Sequence, residues 1–296
     1  MTDRPAPAPD GLLVVDKPAG WTSHDVVGRT RRLARTKKVG HAGTLDPMAT
    51  GVLVLGVGRA TRLLGHLSLT DKAYEATIRL GTTTVTDDAE GDVVEQCDAS
   101  AVTDEALAQA VRALTGPIEQ VPSSVSAVKV DGVRSYARVR KGEDVALAAR
   151  PVVVSTFDVL TRRGVDVDVT VVCSSGTYVR ALARDVGAAL GVGAHLTALR
   201  PTRVGPFGLD VARTLEQLAD DTDAAVVRLG DAVAAAFPRR ELTEEEASAL
   251  SFGKKLDPTG RLGVIGAFAP DGGCVALVED AGGIARAVVV FRPAGS

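Results

Sequence analysis

Residues 40–57 read Gly40-His41-Ala42-Gly43-Thr44-Leu45-Asp46-Pro47-Met48-Ala49-Thr50-Gly51-Val52-Leu53-Val54-Leu55-Gly56-Val57. The first part, Gly40–Thr50, is a polar loop that contains glycine, and Gly51–Val57 is an uninterrupted apolar run of the buried-strand type. Asp46 stands immediately before Pro47, and a residue before proline is biased toward extended backbone. Its carboxylate is thereby presented at a strand edge. There it serves either as a chemical group or as an ordinary turn former, and the residues alone leave both readings open.

On the N-terminal side, Gly11–Val15 reads as a short strand leading into the turn Asp16-Lys17-Pro18-Ala19-Gly20. Ser23 is placed to cap a helix whose Val26, Val27, Leu33 and Ala34 share one face. Arg29, Arg31, Arg32 and Arg35 lie largely off that stripe. On the C-terminal side, Tyr74, Ala76, Ile78 and Leu80 alternate with Glu75, Thr77 and Arg79, which predicts a half-buried strand. Thr103 can cap a helix running to about Leu114, with Asp104 and Glu105 in its first turn. Val152–Val154 and Val165–Cys173 read as strands, Tyr178–Leu190 as a helix and His195–Phe207 as extended chain. Helical segments follow near Leu215–Leu218 and Glu244–Leu250. The end of the chain is glycine-rich, with β-type runs at Gly263–Phe268, Cys274–Val278 and Ala285–Phe291.

These patterns predict a mixed α+β fold with a largely antiparallel sheet. Residues 1–10 form a Pro/Ala-rich tail that reads as disordered, and residues 11–235 form the main domain. An exposed basic excursion at about 124–151 interrupts that domain and includes the turn pair Asp131-Gly132. Pro238 opens a small β-rich module, residues 238–296.

The chain has 296 residues, 45% of them hydrophobic, which is enough for a sizeable core. Only 3% are aromatic, so Val, Leu and Ala must fill that core. No apolar run approaches the length of about 20 residues that spans a bilayer. The first residues carry no apolar signal stretch, so the cytoplasm is the expected compartment. Cys97, Cys173 and Cys274 lie far apart, which argues against a disulfide framework and a cysteine metal site. His24, His66 and His195 do not cluster in sequence with His41, so no histidine metal site is expected either.

Net charge is −3, yet Lys17–Arg62 carries +7, and Val125–Arg150 and Tyr178–Arg203 carry +3 each. A polyanion responds to the local field, so an acidic average is compatible with a basic RNA groove. Ordinary solvated faces would show the same pattern.

Arg180 falls in the first turn of the predicted Tyr178–Leu190 helix, where the helix dipole disfavours a cation. It therefore calls for a carboxylate or phosphate partner, and Asp46 is a sensible one; an ordinary surface arginine is the alternative. His41 is too close to Asp46 in sequence to act as a relay from a separate element, and reads as a turn histidine. Tyr74 and Cys173 read as core. No phosphate loop, dinucleotide fingerprint or Ser-His-Asp elbow is present.

Gly40–Gly51 together with Asp16–Ser23 resembles the signature of the TruB family of tRNA pseudouridine synthases. Lys72-Ala73-Tyr74-Glu75 and Gly176-Thr177-Tyr178-Val179-Arg180 are similar to its next two motifs, in order and at similar spacing. Ser126-Ala127-Val128-Lys129, Asp131-Gly132 and Tyr136 resemble its thumb insertion, and Ala194–Arg200 its late motif. The resemblance runs from about Gly11 to Phe207, and residues 238–296 resemble a PUA-type RNA-binding domain more loosely. Two positions depart from the pattern: Ser175, where many relatives carry lysine, and Val125, where an aromatic is frequent.

The resemblance implies isomerisation of the tRNA T-loop uridine at position 55 by base flipping, as a monomer with no cofactor, metal, membrane or obligate protein partner. It implies that Asp46 is the essential aspartate, attacking C1′ or deprotonating C2′. Arg180 would be its ion-pair partner, and Tyr74 would stack on the flipped uracil. His41 would take the space the base vacates, while Tyr178 and Leu199 line the pocket. Lys17 and the basic helix behind it would contact phosphates. Three other readings stand beside this one: a guide-RNA-dependent relative typified by dyskerin, a noncatalytic RNA-folding module, and a small-molecule hydrolase built on Asp46.

Overall fold

A computed structural model of the chain describes residues 6–125, 129–130, 133–134 and 147–295. In chain order the first elements are β1 (Gly11–Lys17), α1 (Ser23–Leu33), β2 (Val39–His41), β3 (Gly51–Val57), α2 (Leu64–Leu67), β4 (Lys72–Leu80), β5 (Thr82–Thr84), β6 (Val93–Gln96), α3 (Asp104–Ala113) and β7 (Gly116–Gln120). The two-residue strands β8 (Lys129–Val130) and β9 (Val133–Arg134) pair antiparallel. Then come β10 (Arg150–Arg163), β11 (Asp166–Cys173), α4 (Val179–Ala189), β12 (Ala194–Val204), β13 (Phe207–Gly208), α5 (Leu215–Asp220), β14 (Val227–Arg228) and α6 (Leu229–Ala236). The chain ends in β15 (Arg239–Glu241), α7 (Glu244–Ser251), β16 (Val264–Phe268), β17 (Cys274–Ala281) and β18 (Ile284–Val290). The fold is α+β. Among the described residues the paired strands are antiparallel, except for the parallel β15–β16 pair.

The first sheet has the order β14-β1-β3-β2. The apolar run Gly51–Val57 is buried along its whole length, because both faces of this sheet are covered. Leu13 and Val15 of β1 pack with Leu53 and Leu55 of β3 against Val26 and Val27 of α1 and Leu215 and Leu218 of α5. Leu12, Val14, Val52 and Val54 point to the opposite face, against Leu63, Leu67, Val233, Phe268, Leu277 and Phe291. Each such fully buried side chain contributes about 1.5–3 kcal/mol relative to exposure. The second of these clusters spans the Pro238 boundary, so the C-terminal sheet, β15-β16-β17-β18, packs directly on the main domain.

The second sheet has the order β13-β12-β4-β11-β10-β7. Its central strand β4 shows the predicted alternation: Tyr74, Ala76, Ile78 and Leu80 are buried against α3 and α4. Glu75 and Arg79 face outward, where Arg79 pairs with Asp166 of β11.

Two local expectations change. The cap of α1 is Thr22, whose hydroxyl accepts from Asp25 N while Asp25 accepts from Thr22 N. Ser23 is the first helical residue, and its hydroxyl accepts instead from Leu45 N across the fold. The loop expected from Gly40 starts two residues later, because Val39–His41 pairs with β3. Of the expected thumb, Ser126–Val128, Asp131-Gly132 and Tyr136 lie outside the described residues.

Candidate active site

A cleft of about 870 Å³ opens between the two sheets of the main domain. Its lining includes Asp46 and its neighbours in the 42–47 loop, Lys72 and Tyr74 of β4, Thr86, Asp88 and Glu90, and Leu199 of β12. Thr177, Tyr178 and Arg180 at the start of α4 complete it. The structure thus brings together Asp46, Tyr74, Tyr178, Arg180 and Leu199.

The loop that carries Asp46 is tied down from several directions. Thr50 N donates to Leu199 O, Ala42 N to Val54 O and Gly20 N to Pro47 O. Gly51 closes the loop with φ +94, and a Cβ there would lie 2.3 Å from Pro201 O, so only glycine fits. Arg200 donates to both carboxylate oxygens of Asp16 and to the Thr50 hydroxyl.

Lys17 is placed differently from the expectation that it reaches phosphate. It is 0% exposed. Its ammonium donates to Pro18 O at 3.0 Å, Pro47 O at 3.2 Å and Ala49 O at 2.6 Å. Those three acceptors use its three donors, so Lys17 holds the Asp46 loop from inside. Burial lowers its pKa, and the charges of Asp46, Glu90 and Asp25 oppose that shift. Replacing it with methionine leaves buried carbonyls unpaired at about 1–3 kcal/mol each. Lys17→Met is therefore expected to lose about 2–4 kcal/mol of stability, read from the urea unfolding midpoint.

Arg180 sits in the first turn of α4, 8% exposed in its side chain. Its Nε stands 3.1 Å from Asp46 Oδ2, and its Nη1 3.3 Å from Asp88 Oδ2. Nη1 also donates to Thr86 O at 2.7 Å, and Nη2 to Val125 O at 2.9 Å. A planar guanidinium with five fixed donors can satisfy four partners at once, which an ammonium cannot. The first turn of α4 contains no acidic residue, so Asp46 and Asp88 supply from outside the negative charge that a helix N-terminus favours.

Asp46 is 32% exposed and open to the cleft, whereas Asp88 is 4% exposed. Asp88 accepts from the Thr86 hydroxyl at 2.5 Å and from Glu90 N at 3.0 Å, which fixes the second carboxylate behind the first. Asp87, just before it, adopts φ +58, a left-handed conformation that aspartate tolerates better than most residues. Burial raises the Asp46 pKa above its ordinary 3.8; the Arg180 and Lys17 charges lower it, and Asp88 raises it further. Tyr74 is almost wholly buried, and burial pushes its phenol well above the ordinary range. It stays neutral, with its ring available as a wall.

His41 is half-buried and does not line the cleft. His24, not expected near it, meets its ring edge-on with centroids 5.6 Å apart, because α1 lies along β2. Sequence reasoning missed Asp88, Glu90 and Lys72 in the cleft. Lys72 lies in the Lys72–Glu75 motif; Asp88 and Glu90 lie in a strongly acidic stretch, residues 86–119, whose composition reads as solvated surface.

The family model described as TruB family pseudouridylate synthase (N terminal domain) matches residues 31–179. Models for the tRNA pseudouridylate synthase B C-terminal domain and for tRNA pseudouridine synthase II, C terminal, match residues 180–231 and 237–292. The chain is 61% identical over 298 residues to tRNA pseudouridine synthase B of Arthrobacter sp. (strain FB24), covering 96% of this chain and 97% of that protein. It is 58% identical over 290 residues to the protein of the same name from Thermobifida fusca (strain YX), covering 95% and 98%. Among solved structures, a chain of a Cbf5-Nop10-Gar1 complex superposes with TM-score 0.75 at 27% identity, covering 96% of this chain and 85% of that one.

Proposed function

Because this chain belongs to the TruB family of pseudouridylate synthases, we propose that it converts uridine 55 in the tRNA T-loop to pseudouridine. Its activity is that of a tRNA pseudouridine synthase. The observation that carries the detailed reading is the Asp46–Arg180 pair at 3.1 Å, open to a cleft walled by Tyr74.

The target base leaves the stacked loop to enter the cleft, at a cost of a few kcal/mol. Tyr74 stacks on the flipped uracil, while Tyr178 and Leu199 bound it. Asp46 acts as an ionised carboxylate, either on C1′ as nucleophile or on the C2′ hydrogen as base. The N1–C1′ bond breaks, the uracil turns, and C5 bonds to C1′. C5 then gives up its proton and N1 gains one, so atoms balance and nothing is oxidised. Arg180 keeps Asp46 charged and aimed. His41 takes the space from which the base departs. The enzyme works as a cytoplasmic monomer on the T-arm, with residues 238–296 as a PUA-like RNA-binding module.

Incubation with a T-arm stem-loop transcript tritiated at uridine C5 tests the reading. Release from the single T-loop uridine supports it. Tight binding without release favours the RNA-folding or guide-dependent reading, and reaction of a free nucleoside favours the hydrolase. The basic α1 region, with exposed Arg31, Arg32, Lys37 and Lys38, supports phosphate contacts beyond the cleft. Binding is expected to weaken steeply with salt, and Lys37→Gln with Lys38→Gln to reduce the log–log slope by about two. An unchanged slope would remove this face from the RNA path.

A further inference from the structure

Gln120 ends β7 at the edge of the second sheet, is 2% exposed, and does not line the cleft. Its side-chain amide nevertheless reaches the start of the helix that carries Arg180. Gln120 Oε1 accepts from Tyr178 N at 2.8 Å, and Gln120 Nε2 donates to Tyr178 O at 3.1 Å. The amide orientation is unambiguous, because a backbone N–H only donates and a carbonyl only accepts. Tyr178 is the residue that caps α4, with extended φ −103 and ψ 109 and no side-chain cap bond. The Gln120 amide thus completes around Tyr178 what a neighbouring strand would supply. One turn later Arg184 Nη2 donates to Val121 O at 2.8 Å, so the end of β7 grips α4 at two points.

Resting on the pseudouridine synthase reading, we propose that Gln120 is a positioning residue, which sets the first turn of α4 so that Arg180 meets Asp46. The chain from Gln120 through the Tyr178 backbone to Arg180 and Asp46 is short and made of contacts at 2.8–3.1 Å. The site needs a donor and an acceptor side by side at this length. Asparagine is about 1.5 Å shorter and loses one or both bonds. Methionine has similar length and offers Tyr178 N–H no adequate acceptor. Ionised glutamate keeps the acceptor but turns a charge toward the Tyr178 carbonyl. Protonated glutamate restores both bonds, with its hydroxyl as donor and its carbonyl as acceptor.

The test is steady-state tritium release over a range of T-arm substrate concentrations by wild type, Gln120→Met and Gln120→Glu. Gln120→Met is expected to lose about 10- to 100-fold in kcat, the scale of an ångström of misplacement at a reacting group, with RNA KM within threefold. For Gln120→Glu, the ratio of variant to wild-type kcat is expected to rise at least fivefold from pH 8 to pH 6. Taking the ratio cancels the titration of Asp46 itself. A Gln120→Met enzyme with kcat within twofold of wild type overturns the proposal, as does a loss confined to KM. If Gln120→Met does not fold, the glutamate variant decides: a ratio low and flat with pH overturns the proposal. Wild-type release on the same RNA separates the two layers, since its absence refutes the function and not the role of Gln120.

Discussion

Asp46→Asn is expected to abolish turnover, by about 10⁴-fold or more, while RNA binding stays within a few-fold of wild type. The amide keeps the shape of the carboxylate but cannot act as nucleophile or base. It also keeps the 42–50 loop in place, because that loop is held by Lys17, Ser23 and β12 and not by Asp46 alone. The same substitution leaves the melting temperature at neutral pH unchanged or raises it. Burial raises the Asp46 pKa above 3.8, so the folded state binds this proton more tightly than the unfolded chain. Stability contributed by the protonated form is therefore lost as pH rises through the folded value. At neutral pH the wild type bears that cost and the asparagine variant does not. The difference shrinks as pH falls through the folded value and is gone below 3.8, where both states of the wild type are protonated. For activity the sign is the reverse: the acid limb of kcat/KM is expected above the ordinary aspartate range. A binding loss equal to the catalytic loss, or an acid limb near 3.8, would contradict this account of Asp46.

Arg180→Met is the second large effect. It removes the cation between Asp46 and Asp88 and leaves Thr86 O and Val125 O without their donor. Breaking a buried ion network by deleting one partner costs about 3–5 kcal/mol, so the melting temperature falls several degrees. Single-turnover release, measured below the melting point, is expected to fall by about 10³-fold or more. The acid limb moves to higher pH, because the Arg180 charge is the main influence lowering the Asp46 pKa. Adding Asp88→Asn to Arg180→Met removes one of the two facing carboxylates and recovers part of the stability but not the rate. Arg180→Lys is expected to retain less than a hundredth of the activity, since a point charge cannot bridge two carboxylates and two carbonyls. If lysine works nearly as well as arginine, charge alone matters and the fixed fork geometry is irrelevant.

Much of this site could be read from local pattern. The strand at Tyr74–Leu80 announces itself by period two, and the Gly51–Val57 run by its lack of any polar break. The Asp46–Arg180 pair was legible because a cation in the first turn of a helix requires an anion, and an aspartate before proline is one of few placed to meet it. Asp88 was not legible in the same way. It lies in a strongly acidic stretch, and nothing local distinguishes the aspartate that turns inward from those that face water. The histidines show the same limit. His24 and His41 are 17 positions apart and meet only because α1 packs along β2.

Lys17 marks the boundary most clearly. In sequence it is a lysine beside a Pro-Ala-Gly turn, at the head of a basic region, and the family resemblance implies a phosphate contact. In the fold, the turn and the 47–49 segment close over it from 30 residues away, and its ammonium becomes an internal strut. Gln120 is similar: a polar residue at the end of an edge strand, inconspicuous until β7 and the start of α4 lie side by side. The sequence by itself determined the main strands and helices and their buried faces, because periodicity and capping are set by neighbours within a turn or two, and its family resemblance singled out Asp46 and Arg180. The tertiary structure alone decided which polar groups are interior and what they hold, because that depends on sheet order and on contacts between segments distant in the chain.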